Sequence, residues 1–271
     1  MVRNRRGAFG ATVLLLAVAF AVSAPFVTNG RPAAQGDIVA TRFLPPLSTD
    51  PSGAFHLLGT DRFGRDLWTR LVYGARISLS VSALAVLLST LIGVLVGATA
   101  GYATGALSLV LLGVTDFALA VPRVVLLLLL AAMWRPSAAL VVIVLGVTGW
   151  MTIARLVHGE VRGLAARAFV EGAVASGARP ARILWRHILP NALTPVIVAA
   201  TLGVGNAITL EAGLSFLGVG VQPPAPSWGN MIASGRDTLV NAWWVATMPG
   251  IALVLVVVAC TLLGDALNKD H

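Results

Sequence analysis

An all-α, polytopic membrane protein with six transmembrane helices is the fold class that three features of this sequence predict. Hydrophobic residues make up 57% of its 271 positions and charged residues only 11%, with a mean hydropathy of +0.88; a soluble domain would carry roughly 25% charge. Apolar runs of about 20 residues, enough to cross a bilayer as helices, recur along the chain. Between the fourth and fifth of these runs lies a basic insert, Glu171 to Pro190, EGAVASGARPARILWRHILP. A long polar connection in so apolar a chain suggests a docking surface.

The formal net charge of +8 does not point to nucleic acid. The basic residues are spread through loops beside apolar runs and form no single aromatic-laced patch. Anionic lipid headgroups and positive-inside topology account for them. The one cysteine, Cys260, lies in an apolar run, which leaves no disulfide framework or multi-cysteine metal site within the chain.

The first span is expected from Ala8 to about Val27. Its basic flank resembles a signal peptide with a weak Val22-Ser23-Ala24 cleavage site. Pro25 after that site and the length of the run favour an uncleaved helix instead, with Arg3, Arg5 and Arg6 cytoplasmic. From Thr28 to Arg76 the chain is polar, and Pro32, Pro45, Pro46 and Pro51 keep its first half non-helical. In its second half Thr60 or Asp61 is expected to cap an amphipathic helix. Leu67, Leu71 and Val72 would form its apolar face opposite Arg65, Asp66 and Arg70, with Trp68 and Tyr73 at headgroup depth. Residues 1–76 thus read as a first helix plus an extracytoplasmic segment, and residues 77–271 as the main transmembrane domain.

The second span is expected from Ile77 to Ala100, where Gly93, Gly97 and Gly101 share a face and permit close helix packing. The third, Leu107 to Met133, contains Asp116, Pro122 and Arg123. Pro122 can bend the helix, and an ionised residue at membrane depth needs protein or water around it. Asp116 and Arg123 are therefore placed toward the bundle interior or an aqueous path, as a register-holding pair or as part of a translocation route. The fourth span covers Ala138 to Val157, the fifth Asn191 to Leu210, and the sixth Trp243 to Leu263. Glu211, between the fifth span and an irregular or re-entrant Gly/Pro-rich stretch, is either a helix-end carboxylate in water or a cavity-lining group. Six spans with a cytoplasmic amino terminus put the insert and the carboxy terminus in the cytoplasm. The cytoplasmic arginines and Lys269 slightly outweigh the basic residues outside.

Within the insert, a helix from Leu164 to Ser176 would end at Gly177 in the left-handed conformation. Pro180 suits the first turn of a second helix, which places Leu184, His187 and Ile188 on one face and Arg182 and Arg186 on another. Pro190 would close the unit. Such a helix-turn-helix makes contacts and performs no catalysis. His158, Glu160 and His187 contain metal-ligand types, but nothing fixes their separation, and a cation is favoured at a helix end in any case. Ser215 departs from a nucleophile elbow because the closing glycine is one residue late.

EGAVASGARPARILWRHILP resembles the cytoplasmic coupling motif of ABC importer permeases, EAA, three residues, G, nine residues, then I-x-LP. Glu171, Ala173, Gly177, Leu189 and Pro190 match at the right spacing; Gly172 replaces an alanine and His187 stands where many families carry isoleucine. LGTDRFGRDLWTRLVYGARISLSV and EAGLSFLGVGVQPPAPSWGNMI are similar to segments of the dipeptide/oligopeptide/nickel permeases, specifically the C-type subunit. The resemblance spans about Leu58 to Asp265. It implies the type I importer permease fold, with a coupling loop at 160–190, in a bacterial or archaeal cytoplasmic membrane. Implied partners are a second permease, two cytoplasmic ATPases that bind ATP and magnesium, and an extracytoplasmic substrate-binding protein. The chain itself would bind no cofactor. A phosphate-binding loop requires a lysine, and the only one here is Lys269 near the end of the chain. The implied cargo is a di- or oligopeptide, with nickel chelates and glutathione as alternatives within the family. A self-sufficient carrier or channel acting through Asp116, Arg123 and Glu211 is the alternative from another class.

Overall fold

In the computed structural model, which describes residues 2–28, 30–35 and 37–268, the chain is helical along most of its length. Lys269, one of the expected cytoplasmic charges, lies outside the described residues. Helix α1 (Val2–Val27) leads into an extended segment that holds a short helix, α2 (Ile38–Thr41). Two short strands follow, β1 (Ser48–Thr49) and β2 (Phe55–His56), paired antiparallel.

Helix α3 (Leu67–Tyr102) is a single 36-residue element, so a boundary at residue 76 falls inside it. Its cap is Asp66, not Thr60 or Asp61. An Asp66 carboxylate oxygen accepts from the Thr69 amide at 2.8 Å and from the Thr69 hydroxyl at 2.6 Å. Thr60 instead accepts the Leu44 amide at 2.8 Å. Asp61 accepts from Arg65 Nε at 2.7 Å and lies 3.5 Å from Arg70 Nε. The expected polar face is therefore buried as the apolar one is, with Arg65 and Arg70 only 6% and 3% exposed. Burial is tolerated because Asp61 shares its charge between them and Arg70 also donates to the Pro32 carbonyl at 3.1 Å. Trp68 meets Phe20 edge-to-face and donates to the Val27 carbonyl at 3.3 Å, joining α3 to α1.

The third span is bent at Pro122, into helices α4 (Ala106–Ala120) and α5 (Arg123–Met133). They meet at 85° across Val121-Pro122, where proline interrupts the hydrogen-bond ladder. Among the described residues, five helices are long and apolar enough to cross a membrane, or six if this bent pair counts as one span. Helix α6 (Ala138–Ala165) continues well beyond Val157, and α3 lies along it. A Cβ at Gly97 would come within 2.4 Å of the Ala154 carbonyl oxygen, and one at Gly93 within 2.7 Å of Ile153 Cβ. The glycine repeat thus sets the distance between the two backbones.

The insert's first helix is α7 (Ala168–Ala175), shorter than expected because α6 runs to Ala165 and the chain breaks at Ala166-Arg167. Next come α8 (Pro180–Arg182), a π-helical turn (Ile183–Ile188) and α9 (Leu189–Phe216), one after another with no loop between them. Pro190 therefore does not close the insert. The Leu189 amide donates to the Leu184 carbonyl, five residues back. This wider turn carries the chain past a residue that has no N–H. Nor does α9 stop at Leu210; it extends past Glu211 to Phe216. The following stretch folds back through α10 (Trp228–Gly235), which opens on a reciprocal Ser227/Asn230 capping box. The last helix, α11 (Trp244–Asn268), packs against α1 and α9.

Candidate functional site

The insert is held from below by an apolar cluster. Val170 of α7, Ile183, Leu184 and Ile188 of the π turn, and Leu189 and Val196 of α9 are buried with Ala98 of α3 and Ile153, Val157 and Val161 of α6. This packing of apolar residues from four helices and the π turn leaves the insert little freedom to move apart from the spans. Ile183, Leu184 and Ile188 face inward while Arg182 and Arg186 are exposed and His187 is half-buried, as the sequence pattern implies.

The other side of the insert is open. Glu171, Gly172, Val174, Gly177, Arg179, Pro180 and Arg182 are exposed, and Ala173 is half-covered. Phe169, Val174 and Trp185 add large apolar surface that is 45–57% exposed. The bend is a Schellman motif: the Gly177 amide donates to the Val174 carbonyl at 2.9 Å and the Ala178 amide to the Ala173 carbonyl at 3.1 Å. Gly177 has φ +75°, and nothing lies within 4 Å of a Cβ placed there. Glycine is thus required by the backbone and not by space. Glu171 lies in the first turn of α7, where a carboxylate suits the helix dipole. Among the described residues its carboxylate has no ion-pair partner. Of the other motif residues, Leu189 is buried and Pro190 exposed within α9.

A second feature lies in the membrane-spanning part. A cavity of about 400 Å³ opens between α3, α6 and α9, and Arg123, the first residue of α5, reaches it. Its polar lining also includes Ser89, Thr152 and Asn206. Asp116 is elsewhere, exposed on α4 and 3.3 Å from Arg155 of α6; the two expected path residues Asp116 and Arg123 do not pair with each other. Glu211 is neither in water nor on the cavity. It is fully buried, and accepts the Ser78 hydroxyl at 2.9 Å and the Ser215 hydroxyl at 2.7 Å. Sequence reasoning missed Ser89, Thr152 and Asn206, although a polar residue within a long apolar run is the signal that marks them. Among the described residues, no three His, Cys, Asp or Glu side chains are grouped to hold a metal, His158, Glu160 and His187 included.

Comparison with known proteins gives a consistent result. Residues 93–270 match the family described as the binding-protein-dependent transport system inner membrane component. A Brucella abortus protein, provisionally named a peptide transport system permease protein, is 40% identical over 99% of this chain and 88% of its own length. The dipeptide transport system permease protein DppC of Escherichia coli is 38% identical over 98% and 88%, and the di/tripeptide permease DppC of Pseudomonas aeruginosa is 37% identical over 98% and 87%. In structure the chain is similar to the MetNI methionine ABC transporter in an inward-facing conformation, with a TM-score of 0.61 and 21% identity over 74% of this chain and 95% of that one.

Proposed function

The chain belongs to the family of binding-protein-dependent transport system inner membrane components, and from that premise we propose that it is the permease subunit of a peptide importer driven by ATP hydrolysis on partner subunits. It is a multi-pass protein of the inner membrane. In this reading it forms half of a translocation path together with a second permease, and an extracytoplasmic binding protein delivers di- or oligopeptides to it. Both termini and the insert face the cytoplasm. Two ATPases carry ATP and magnesium there, and this chain contributes no catalytic group.

The observation that carries the reading is the two-sided construction of residues 168–190. One side is buried among α3, α6 and α9; the other presents an exposed bend with Phe169, Val174, the Glu171 carboxylate and several arginines. A rigid knuckle continuous with two spans transmits a push, whereas a loose loop would absorb it. In the proposed assembly Glu171, Gly172, Ala173 and Gly177 form the contact with the ATPase. His187, Leu189 and Pro190 carry the displacement into α9. Arg123 lies on the translocation path, Asp116 pairs with Arg155 to tie α4 to α6, and Glu211 braces α3 and α9.

Affinity capture of the tagged chain from detergent-solubilised membranes tests the reading. The expected result is co-purification of a second permease and two ATPases, together with dipeptide uptake that requires ATP and the binding protein in proteoliposomes. Uptake by the purified chain alone, with no ATPase retained, would overturn it in favour of a self-sufficient carrier.

A further inference from the structure

Among the described residues, Arg123 is the one charged residue lining the cavity between α3, α6 and α9, and its buried Nε has no hydrogen-bond partner. None of the ion pairs among the described residues includes it. The side chain is placed deliberately in two respects. The 85° break at Pro122 turns α5 so that its first residue points back into the bundle. Gly149 of α6 clears the space: a Cβ there would come 3.2 Å from an Arg123 guanidinium nitrogen. Ser89, Gly149 and Asn206 all lie far from the ends of the helices that carry them, so the charge sits deep in the membrane-spanning part.

A guanidinium stays charged at any physiological pH. An uncompensated cation at this depth is costly, and such residues mark pathways for polar cargo. The planar fork matches a carboxylate, with two parallel N–H donors for two oxygens. A cavity of about 400 Å³ falls within the usual range for small-molecule sites, roughly 300–1,000 Å³. Ser89, Thr152 and Asn206 supply further uncharged hydrogen-bonding groups on its wall.

We infer that Arg123 receives the carboxylate end of the cargo, which makes it a specificity-determining residue for anionic or zwitterionic substrates inside the permease. The inference rests on the peptide-permease reading and specifies which chemical group the path recognises. A peptide's terminal carboxylate is attracted to this site and its ammonium is repelled, so the cargo is oriented as it passes.

The test uses the complete transporter in proteoliposomes, with radiolabelled dialanine and its carboxy-terminal amide as probes. Variant uptake is divided by wild-type uptake for each probe, which cancels any preference of the binding protein. For Arg123→Gln the free-acid ratio should fall about tenfold, the value of one charge-assisted hydrogen-bonded contact, with the amide ratio near one. Arg123→Lys keeps the charge without the fork and should give an intermediate loss; it carries the test if the glutamine variant fails to insert. Equal loss of both probes would assign Arg123 to holding the partner permease and overturn the inference, as would no loss of either. Uptake of neither probe by the wild-type transporter is a different failure, that of the peptide reading itself.

Discussion

Ser78 of α3 donates a hydrogen bond to the Glu211 carboxylate of α9 across 2.9 Å, and its oxygen accepts the Trp228 amide at the start of α10 at 3.2 Å. Ser215 repeats the arrangement on the other carboxylate oxygen, donating at 2.7 Å and accepting the Val221 amide at 3.0 Å. One buried carboxylate thus fastens two membrane-spanning helices to the polypeptide that folds back between them. Glu211→Ala should destabilise the protein by about 2–4 kcal/mol through lost hydrogen bonds and a cavity. Thermal unfolding in detergent, followed by tryptophan fluorescence, should show a midpoint several degrees lower, with Ser78→Ala less affected. An unchanged midpoint for Glu211→Ala would remove Glu211 from this bracing role.

The contact between α3 and α6 makes a different demand. Gly97→Ala forces a methyl group to within 2.4 Å of the Ala154 carbonyl oxygen, and overpacking of this kind costs about 1–3 kcal/mol. Gly113 on α4 has nothing within 4 Å of a Cβ, so Gly113→Ala should leave stability unchanged or raise it. Comparing the two unfolding midpoints checks the prediction; equal effects would mean that α3 and α6 are farther apart than described.

Gly177→Ala meets no neighbour and should cost only the left-handed backbone, about 1–2 kcal/mol. Gly177→Asn, which adopts that conformation more readily, should cost less. Proteolysis of the insert reads the difference, with faster cleavage for alanine than for asparagine.

Outside the membrane-spanning helices, hydrogen bonding holds the Asp50 carboxyl below its ordinary range. The Ser52 hydroxyl is the main cause, followed by the Ala54 amide. A depressed folded-state value stabilises the β1–β2 turn above about pH 3.9, the unfolded value, and that contribution is lost as pH falls through the folded value. Hydrogen-exchange protection across residues 50–54, measured against the intrinsic exchange rate at each pH, should therefore fall on acidification. In Ser52→Ala the fall in protection should begin at a higher pH. An onset unmoved by that substitution would show that Ser52 does not set the titration.

Much of the bend was legible because its determinants are local. Gly177 needs a positive φ and Pro180 fits a first turn, and both follow from sequence spacing. The helix ends were less so. Pro190 marks a stop in sequence, but the π turn before it lets the chain continue, and a break at Arg167 had no glycine or proline to announce it. Arg65 and Arg70 looked like a solvated face until Asp61 and the Pro32 carbonyl drew them inward. Glu211 was visible as an unusual carboxylate, but one of its two hydroxyl partners lies 133 residues away, beyond any periodicity. The charge of Arg123 pointed toward the bundle interior or an aqueous path; its cavity depends on a helix break and on a glycine from another helix.

The coupling role of residues 171–190 is tested most directly by peptide uptake per ATP hydrolysed in proteoliposomes that contain the complete transporter. Charge reversal, Glu171→Arg, or disruption of the bend, Gly177→Pro, which can neither adopt φ +75° nor donate to the Val174 carbonyl, should leave the protein inserted and the ATPases active at their basal rate. Substrate-stimulated hydrolysis and uptake should fall at least tenfold. Wild-type uptake and stimulation in both variants would contradict a coupling role for this knuckle.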